Sequence, residues 1–478
     1  MNKYTTVSII NAIFLIILFY LPVENYIKPY YIIVLITNSI IFLNYISILR
    51  SRKNKNQLFI HSLIFLISFI IVHFQFIFEY IISNIDIEEK YIFVDAKYAF
   101  KSFVLSSIGL VSFVLGYSLY KEHITTKKNT TPHYEYNLTL LKYIIITILF
   151  TFIYYLDPQY IKGYYGQVNA GSIAIYLSSF FEIFIFCYLT LHYTNLRNKK
   201  SITLYNYIKS NGLTINFSII IYLIITLLSG DRGCLIYLTI AYFSVYIFIN
   251  NKVINLKYMI MFIIASSIFM NILRDIRNLD KDLSLEDKIT KSVTTKKEEG
   301  KYLISNTTEL ASSIRSLHYA VKDKNENGIT LDKVCFQFHY ILLSIPGLFG
   351  VYSSYYNIPN HFNSSPDYIT WLEQGSYVTY GVGTTCIADI YLDFGLFGTI
   401  ITFTIFGLLL KHLETYSYNK EKKISIIVTI TSLVMISMSV YLGRSPILYT
   451  LRIIVPAYLI VKTYIHLNKK TNKITFFV

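Results

Sequence analysis

Long apolar runs, most of them about 18 to 23 residues in length, alternate with short polar stretches along this chain. A run of that length crosses the hydrocarbon layer of a bilayer as one helix. Twelve runs qualify, at residues 5–22, 29–49, 57–78, 100–120, 139–156, 172–193, 213–229, 233–250, 257–273, 386–410, 424–442 and 446–463. The first follows a single lysine, Lys3, and lacks an A-x-A cleavage pattern, so it reads as a retained span rather than a signal peptide. The pattern predicts an all-α polytopic membrane protein with about 12 transmembrane helices.

The polar stretches fix the orientation. With the N-terminus inside, the inner loops hold Arg50, Arg52, Lys53 and Lys55; Lys121, Lys127 and Lys128; Arg197, Lys199, Lys200 and Lys209; and Lys411, Lys420, Lys422 and Lys423. The short outer loops hold one or two cations each, such as Lys28, Lys162, Arg232 and Arg444. Positive loops stay inside, so both termini are expected in the cytoplasm. Residues 274–385 form one long loop on the outer side, where charge no longer decides translocation. The chain then divides into helices 1 to 9 at 1–273, the large loop with amphipathic helices at 274–385, helices 10 to 12 at 386–463, and a cytoplasmic tail at 464–478. Within the loop, residues 334–352 are apolar enough to span but are interrupted by Pro346-Gly347. They are expected to form an interfacial or re-entrant helix pair whose elbow is buried by protein. Neither an internal repeat nor inverted halves are visible, which weighs against a transporter.

Composition agrees. Of 478 residues, 54% are hydrophobic and 15% charged, whereas a soluble domain carries about a quarter. This excludes an ordinary cytosolic enzyme and a disordered chain. The net charge of +15 is explained by the inner loops rather than by a nucleic-acid partner. Cys187, Cys234, Cys335 and Cys386 share no CxxC spacing, so neither a zinc site nor a redox motif is expected. Cys187 and Cys234 lie in apolar runs and read as packing residues. Cys335 and Cys386 are close enough to the outer side that a disulfide is an alternative.

The candidate chemistry lies where charge meets the outer ends of spans. Ser229-Gly230-Asp231-Arg232-Gly233 is a turn that holds an acid and a base between two glycines. Arg274 and Arg277 share a helix face where the ninth span emerges, and form a fork suited to phosphate oxygens. A helix expected at 307–322, opened by Asn306 and Glu309 at capping-box spacing, has an apolar stripe of Leu310, Ile314, Leu317 and Val321. Beside it runs a cationic edge of Arg315, His318 and Lys322, for which a merely solvated face is the competing reading. Gly443-Arg444-Ser445-Pro446 gives another outer turn with one arginine. Guanidinium stays charged and binds phosphate bidentately, so Arg232, Arg274, Arg277, Arg315 and Arg444 together suit a pyrophosphate headgroup and need no metal. His339 reads as a core histidine. Aromatic residues at 352–380, including Trp371, the sole tryptophan, are suited to sugar rings or to a membrane interface.

Residues 379–398 carry Gly381, Gly383, Thr385, Ala388, Asp389, Tyr391, Asp393, Phe394, Gly395 and Gly398. This order resembles the G-x-G-x-(S/T)-x-x-(A/G)-(E/D)-x-Y-x-(N/D)-F-G-x-x-G signature of the O-antigen polymerase (Wzy-type) family, with Asp389 where glutamate is commoner. The 229–233 turn is similar to that family's S-G-x-R-G turn. The resemblance implies a GT-C-like helical bundle and a metal-independent glycosyltransferase without cofactor. It would join undecaprenyl-pyrophosphate-linked oligosaccharide repeat units, as O-antigen or capsular polysaccharide, at the outer face of the bacterial plasma membrane. Its partners would be the lipid-linked oligosaccharides, the lipid bilayer and a chain-length-regulating co-polymerase, with no nucleic acid. Asp231, Tyr391, Trp371 and the five arginines would bind substrate, while Asp389, Glu309 and His318 stand as alternative general bases. An O-antigen ligase, or a flippase of lipid-linked oligosaccharide, are the alternative functions.

Overall fold

The computed structural model describes residues 3–23, 25–51, 59–83, 95–121, 135–161, 171–198, 201–229, 231, 233–251, 307–328, 335–419 and 425–474. Among them the regular elements are all helical. The chain opens with α1 (Lys3–Phe19), α2 (Lys28–Arg50), α3 (His61–Ser83) and α4 (Ala96–Leu119). There follow α5 (Thr139–Tyr155), α6 (Ser172–Leu196), α7 (Leu204–Asn211), α8 (Leu213–Leu228) and α9 (Gly233–Asn250). Four short helices come next: α10 (Ile314–Asn327), α11 (Phe336–Leu343), α12 (Leu348–Tyr355) and α13 (Ser365–Gln374). The chain closes with α14 (Cys386–Tyr418), α15 (Ile426–Met438) and α16 (Leu451–Ile474). Eleven of the twelve apolar runs therefore fall on helices, and the run at 257–273 lies outside the described residues. Seven of the described helices are long and apolar enough to cross a membrane, or eight when α7 and α8, bent by 90° at Gly212, count as one broken span. The end of the chain, expected as a tail, continues α16 as helix to Ile474.

The helices form two compact units. The first comprises residues 1–123, 301–414 and 439–451; the second comprises 124–300, 415–438 and 452–478. In the first unit α4 is enclosed almost all round, packed by α1 and α2. Phe65, Phe69, Phe113, Phe403 and Phe406 interlock beside it as tilted and edge-on rings. Two glycines allow α4 and α14 to touch backbone to backbone. A Cβ on Gly116 would lie 1.9 Å from the Thr404 carbonyl oxygen, and one on Gly407 2.1 Å from that of Phe113. Close approach through small residues is the way helices gain contact in lipid, where apolar burial no longer drives association. At the far end of α14, Glu414 is buried and accepts from the Ser62 amide (2.8 Å), the Ser62 hydroxyl (2.5 Å) and the Tyr117 hydroxyl (2.7 Å). It thus satisfies an otherwise orphaned amide at the start of α3.

The loop helices correct two expectations. The predicted helix at 307–322 is interrupted at Ser312-Ser313, giving one turn at Thr308–Ala311 and then α10. The elbow between α11 and α12 turns at Gly347 (φ 83°), but Ile345, Pro346 and Gly347 are exposed rather than covered by protein.

In the second unit, α5 packs on α6 and α8, and α9 on α15. Arg197, only 1% exposed, donates to the Asn419 carbonyl at 2.7 Å and lies against the rings of Tyr193 and Tyr416. It anchors the end of α6.

Replacing Gly407 by leucine should abolish the monodisperse peak of the detergent-extracted protein in size-exclusion chromatography. Gly350→Ala, with open space around its Cβ, should leave that peak unchanged.

Candidate functional site

The start of α14 is a polar buried region of the first unit. Thr385 caps the helix, its hydroxyl accepting the Ala388 amide at 3.1 Å. One turn on, Asp389 is fully buried. Its Oδ2 accepts from Gln337 Nε2 on α11 at 2.7 Å, and its Oδ1 from the Ser365 hydroxyl on α13 at 2.6 Å. Tyr340 backs this pair, its hydroxyl 2.9 Å from that of Ser365. Asp393, also fully buried, accepts the amides of Phe336 (3.1 Å) and Gln337 (2.8 Å), capping α11 from outside its own sequence. The two acids thus fasten α11 and α13 to α14.

Directly after Asp393 the helix breaks. Gly395 takes φ 65° and ψ −157°, a conformation costly for any residue with a Cβ. The break is held by Lys324 of α10, whose Nζ donates to the carbonyls of Tyr391 (2.6 Å) and Leu392 (3.0 Å). Burial lowers the Lys324 amine to about 8, against the opposing pull of Asp393 and Asp323. Asp323 in turn accepts from the hydroxyl of Tyr368 on α13 at 3.0 Å. Tyr391 is enclosed at 6% exposure, its ring edge-on to Phe19.

The turn bearing Arg444 sits on α3. A Cβ on Gly443 would meet the Ser68 hydroxyl at 2.8 Å and Ser68 backbone at 3.0 Å. The His73 ring meets the Gly443 carbonyl, lies 2.9 Å from the Ser106 hydroxyl through Nδ1, and faces Cys386 Sγ at 4.0 Å through Nε2. Arg444 therefore stands beside the opening of α14. It is half-buried, and no carboxylate of the described residues pairs with it. His318 of α10 is 1% exposed and near enough to His73 for their charges to interact. It is thus turned inward, not along a solvent edge as its stripe suggested. Three residues earlier, Arg315 is paired with Glu373 of α13 at 2.5 Å.

Trp371 is 36% exposed and stacks on His361 at 4.7 Å, with Tyr368 and Phe362 continuing the ladder. His339 is buried, its Nδ1 3.2 Å from the Asn363 carbonyl oxygen, as a core histidine would be. All four cysteines are free. Glu309 falls in the single turn Thr308–Ala311.

In the second unit, Asp231 Oδ1 accepts the Gly233 amide at 2.8 Å and so caps α9. Beneath that turn, Glu182 of α6 accepts from the Tyr222 hydroxyl at 3.0 Å and lies 3.4 Å from Cys234 Sγ. Arg232, Arg274 and Arg277 lie outside the described residues.

The signature at 379–398 is therefore a set of fastenings: a cap, two buried acids and a break. Its whole-chain counterpart is a match of residues 4–473 to the model of the family described as O-antigen polysaccharide polymerase Wzy. This chain belongs to that family. The Wzy assignment makes the protein a multi-pass membrane enzyme of polysaccharide biosynthesis, a polymerase of the glycosyltransferase type. No curated protein and no solved structure matches the chain. Sequence reasoning missed His73, Gln337, Lys324, Glu373 and Glu182. Of these, His73 and Glu182 were detectable as ionisable residues inside apolar runs.

Lys324→Met should cost this Wzy-family protein about 1–3 kcal/mol, the penalty of stranding two buried carbonyls, read as a lower melting temperature in detergent. The pH sign follows from the lowered amine. Between about 8 and its ordinary 10.5 the unfolded chain binds the extra proton, so the wild type's advantage over Lys324→Met should grow as pH rises through that window.

Proposed function

We propose that this Wzy-family polymerase joins undecaprenyl-pyrophosphate-linked oligosaccharide repeat units at the outer face of the bacterial plasma membrane. In this reading the chain crosses the membrane about twelve times in a GT-C-like arrangement. Both termini are cytoplasmic, and the segment 274–385 lies outside. The observation that carries the reading is Arg444, a half-buried arginine on a turn packed against α3, without a carboxylate partner among the described residues. A cation left in that state is poised for an anion brought by the substrate.

The reaction is a displacement at the anomeric carbon. A sugar hydroxyl of the incoming unit attacks, its oxygen forming the new glycosidic bond. The bond from anomeric carbon to phosphate oxygen breaks, and the diphosphate leaves with the electron pair. Arg444 and Arg315, with Arg232, Arg274 and Arg277 in the same role, stabilise the charge that develops on the leaving group. That stabilisation is electrostatic, and a metal-independent mechanism fits it. Asp389, enclosed with both oxygens already accepting, is assigned a positioning role. His318 and Glu309 remain the candidates to take the hydroxyl proton. The stacked Trp371 and His361 offer a flat apolar face to a sugar ring.

Arg444→Ala should lower polymer formation by about 10²–10³-fold, while single capped units still reach the cell surface. Arg444→Lys should recover little, because a point charge lacks the planar fork. Gel laddering of extracted polysaccharide reads both. Loss of surface display altogether would point to a flippase, and full laddering in Arg444→Ala would remove that residue from the site.

A further inference from the structure

Arg315 is held in an unusual way. Its Nη2 meets Glu373 Oε1 at 2.5 Å, a single contact where guanidinium and carboxylate would normally pair through two. Arg315 Nε and Glu373 Oε2 are both enclosed and have no hydrogen-bond partner. The Glu373 side chain is only 4% exposed, whereas that of Arg315 is 26% exposed and so remains accessible to a ligand. Leaving an enclosed donor and an enclosed acceptor unmet in a half-buried ion pair costs stability, so permanence is a poor explanation for this arrangement.

Glu373 also tethers the segment that leads into α14. The Tyr380 hydroxyl donates to Glu373 Oε1 at 2.7 Å. The neighbouring Gln374 accepts from the Thr379 amide at 2.8 Å and donates to the Tyr380 carbonyl at 2.6 Å. Residues 379–380 run directly into Gly381-Val382-Gly383 and then α14. One carboxylate therefore holds both the arginine of α10 and the stretch that enters the signature.

We propose that Glu373 is a resident counter-ion, which occupies Arg315 in the unloaded protein and is displaced by a diphosphate. The inference rests on the reading of Arg315 as a diphosphate-binding residue and adds to it a built-in competitor. A diphosphate brings at least two charges and several acceptor oxygens, enough to meet Nη2 and Nε together. A carboxylate or other singly charged anion would only exchange one weak partner for another. The pair thus sets a threshold that selects for diphosphate. When Arg315 leaves, Glu373 keeps Tyr380 as its partner, and the segment at 379–383 is free to follow the two of them.

Trp371 lies two residues before Glu373 on α13 and is the sole tryptophan, so its emission reports the exchange. Purified full-length protein in nanodiscs is titrated with inorganic pyrophosphate, following both heat and Trp371 emission. The wild type should give saturable changes in both. Glu373→Gln should bind about tenfold more tightly, as expected when a competing charge close to the ligand is removed, and Tyr380→Phe should bind less tightly, because the displaced Glu373 then lacks its remaining donor. Arg315→Ala should lose the emission change, and the double variant Arg315→Ala/Glu373→Gln should regain no affinity. Farnesyl diphosphate in place of pyrophosphate distinguishes a lipid headgroup, bound more tightly, from a free diphosphate, bound equally. If Glu373→Gln binds no more tightly than the wild type, Glu373 is not a competitor and the proposal fails. If heat is released while Trp371 stays silent, diphosphate is held elsewhere, as at Arg444, so the proposal fails but the polymerase reading stands. If no variant binds diphosphate, both fail.

Discussion

A carboxylate buried among apolar helices has to be surrounded by hydrogen-bond donors, because the desolvation cost of an unmet charge is several kcal/mol or more. Helix α14 carries three such acids, and each draws donors from a different stretch of chain. Asp389 takes Gln337 and Ser365, Asp393 takes the first amides of α11, and Glu414 takes Ser62 and Tyr117. The helix becomes the post to which α3, α4, α11 and α13 are tied. Its contact with α4 through Gly116 and Gly407 holds that post in place.

In the proposed reading this arrangement gives Asp389 and Asp393 a structural part. Asp389 and Asp393 use their acceptor capacity to hold the loop helices. They thereby set where α13 presents Trp371 and Glu373. Lys324 serves the same end from the opposite direction, bringing a cation to carbonyls freed by the break at Gly395. Arg444 reaches the same neighbourhood on a separate turn, pressed to α3 by a glycine that tolerates no side chain. Rigid fastening of this kind is what transition-state electrostatics needs, since donors that must reorganise lose much of their effect.

The helices are readable because length and apolarity are local properties, and among the described residues helices lie where eleven of the twelve runs predict them. Boundaries differ where a distant partner decides them. The third apolar run begins at residue 57, yet α3 begins at His61, next to the amide that Glu414 accepts. The regular stripe of Ile314, Leu317 and Val321 implies one continuous loop helix; those residues are indeed buried, but Ser312-Ser313 interrupts the rod. His318 belongs by spacing to a basic edge, yet it turns toward His73, a residue in a different apolar run. Asp389 stands out by its motif, whereas its donors Gln337 and Ser365 are 52 and 24 residues away and carry no mark of their own. Such pairings arise only from the tertiary fold, and a single sequence gives no hint of them.

The order of these fastenings along the chain bears on biogenesis. Phe336, Gln337 and Ser365 all precede α14, so they leave the ribosome before Asp389 and Asp393 do. The two acids thus enter the insertion machinery after their donors have been synthesised. An N-to-C direction of synthesis therefore suits this topology, and a circular permutant starting at Cys386 would have to admit both carboxylates before any donor from α11 or α13 existed.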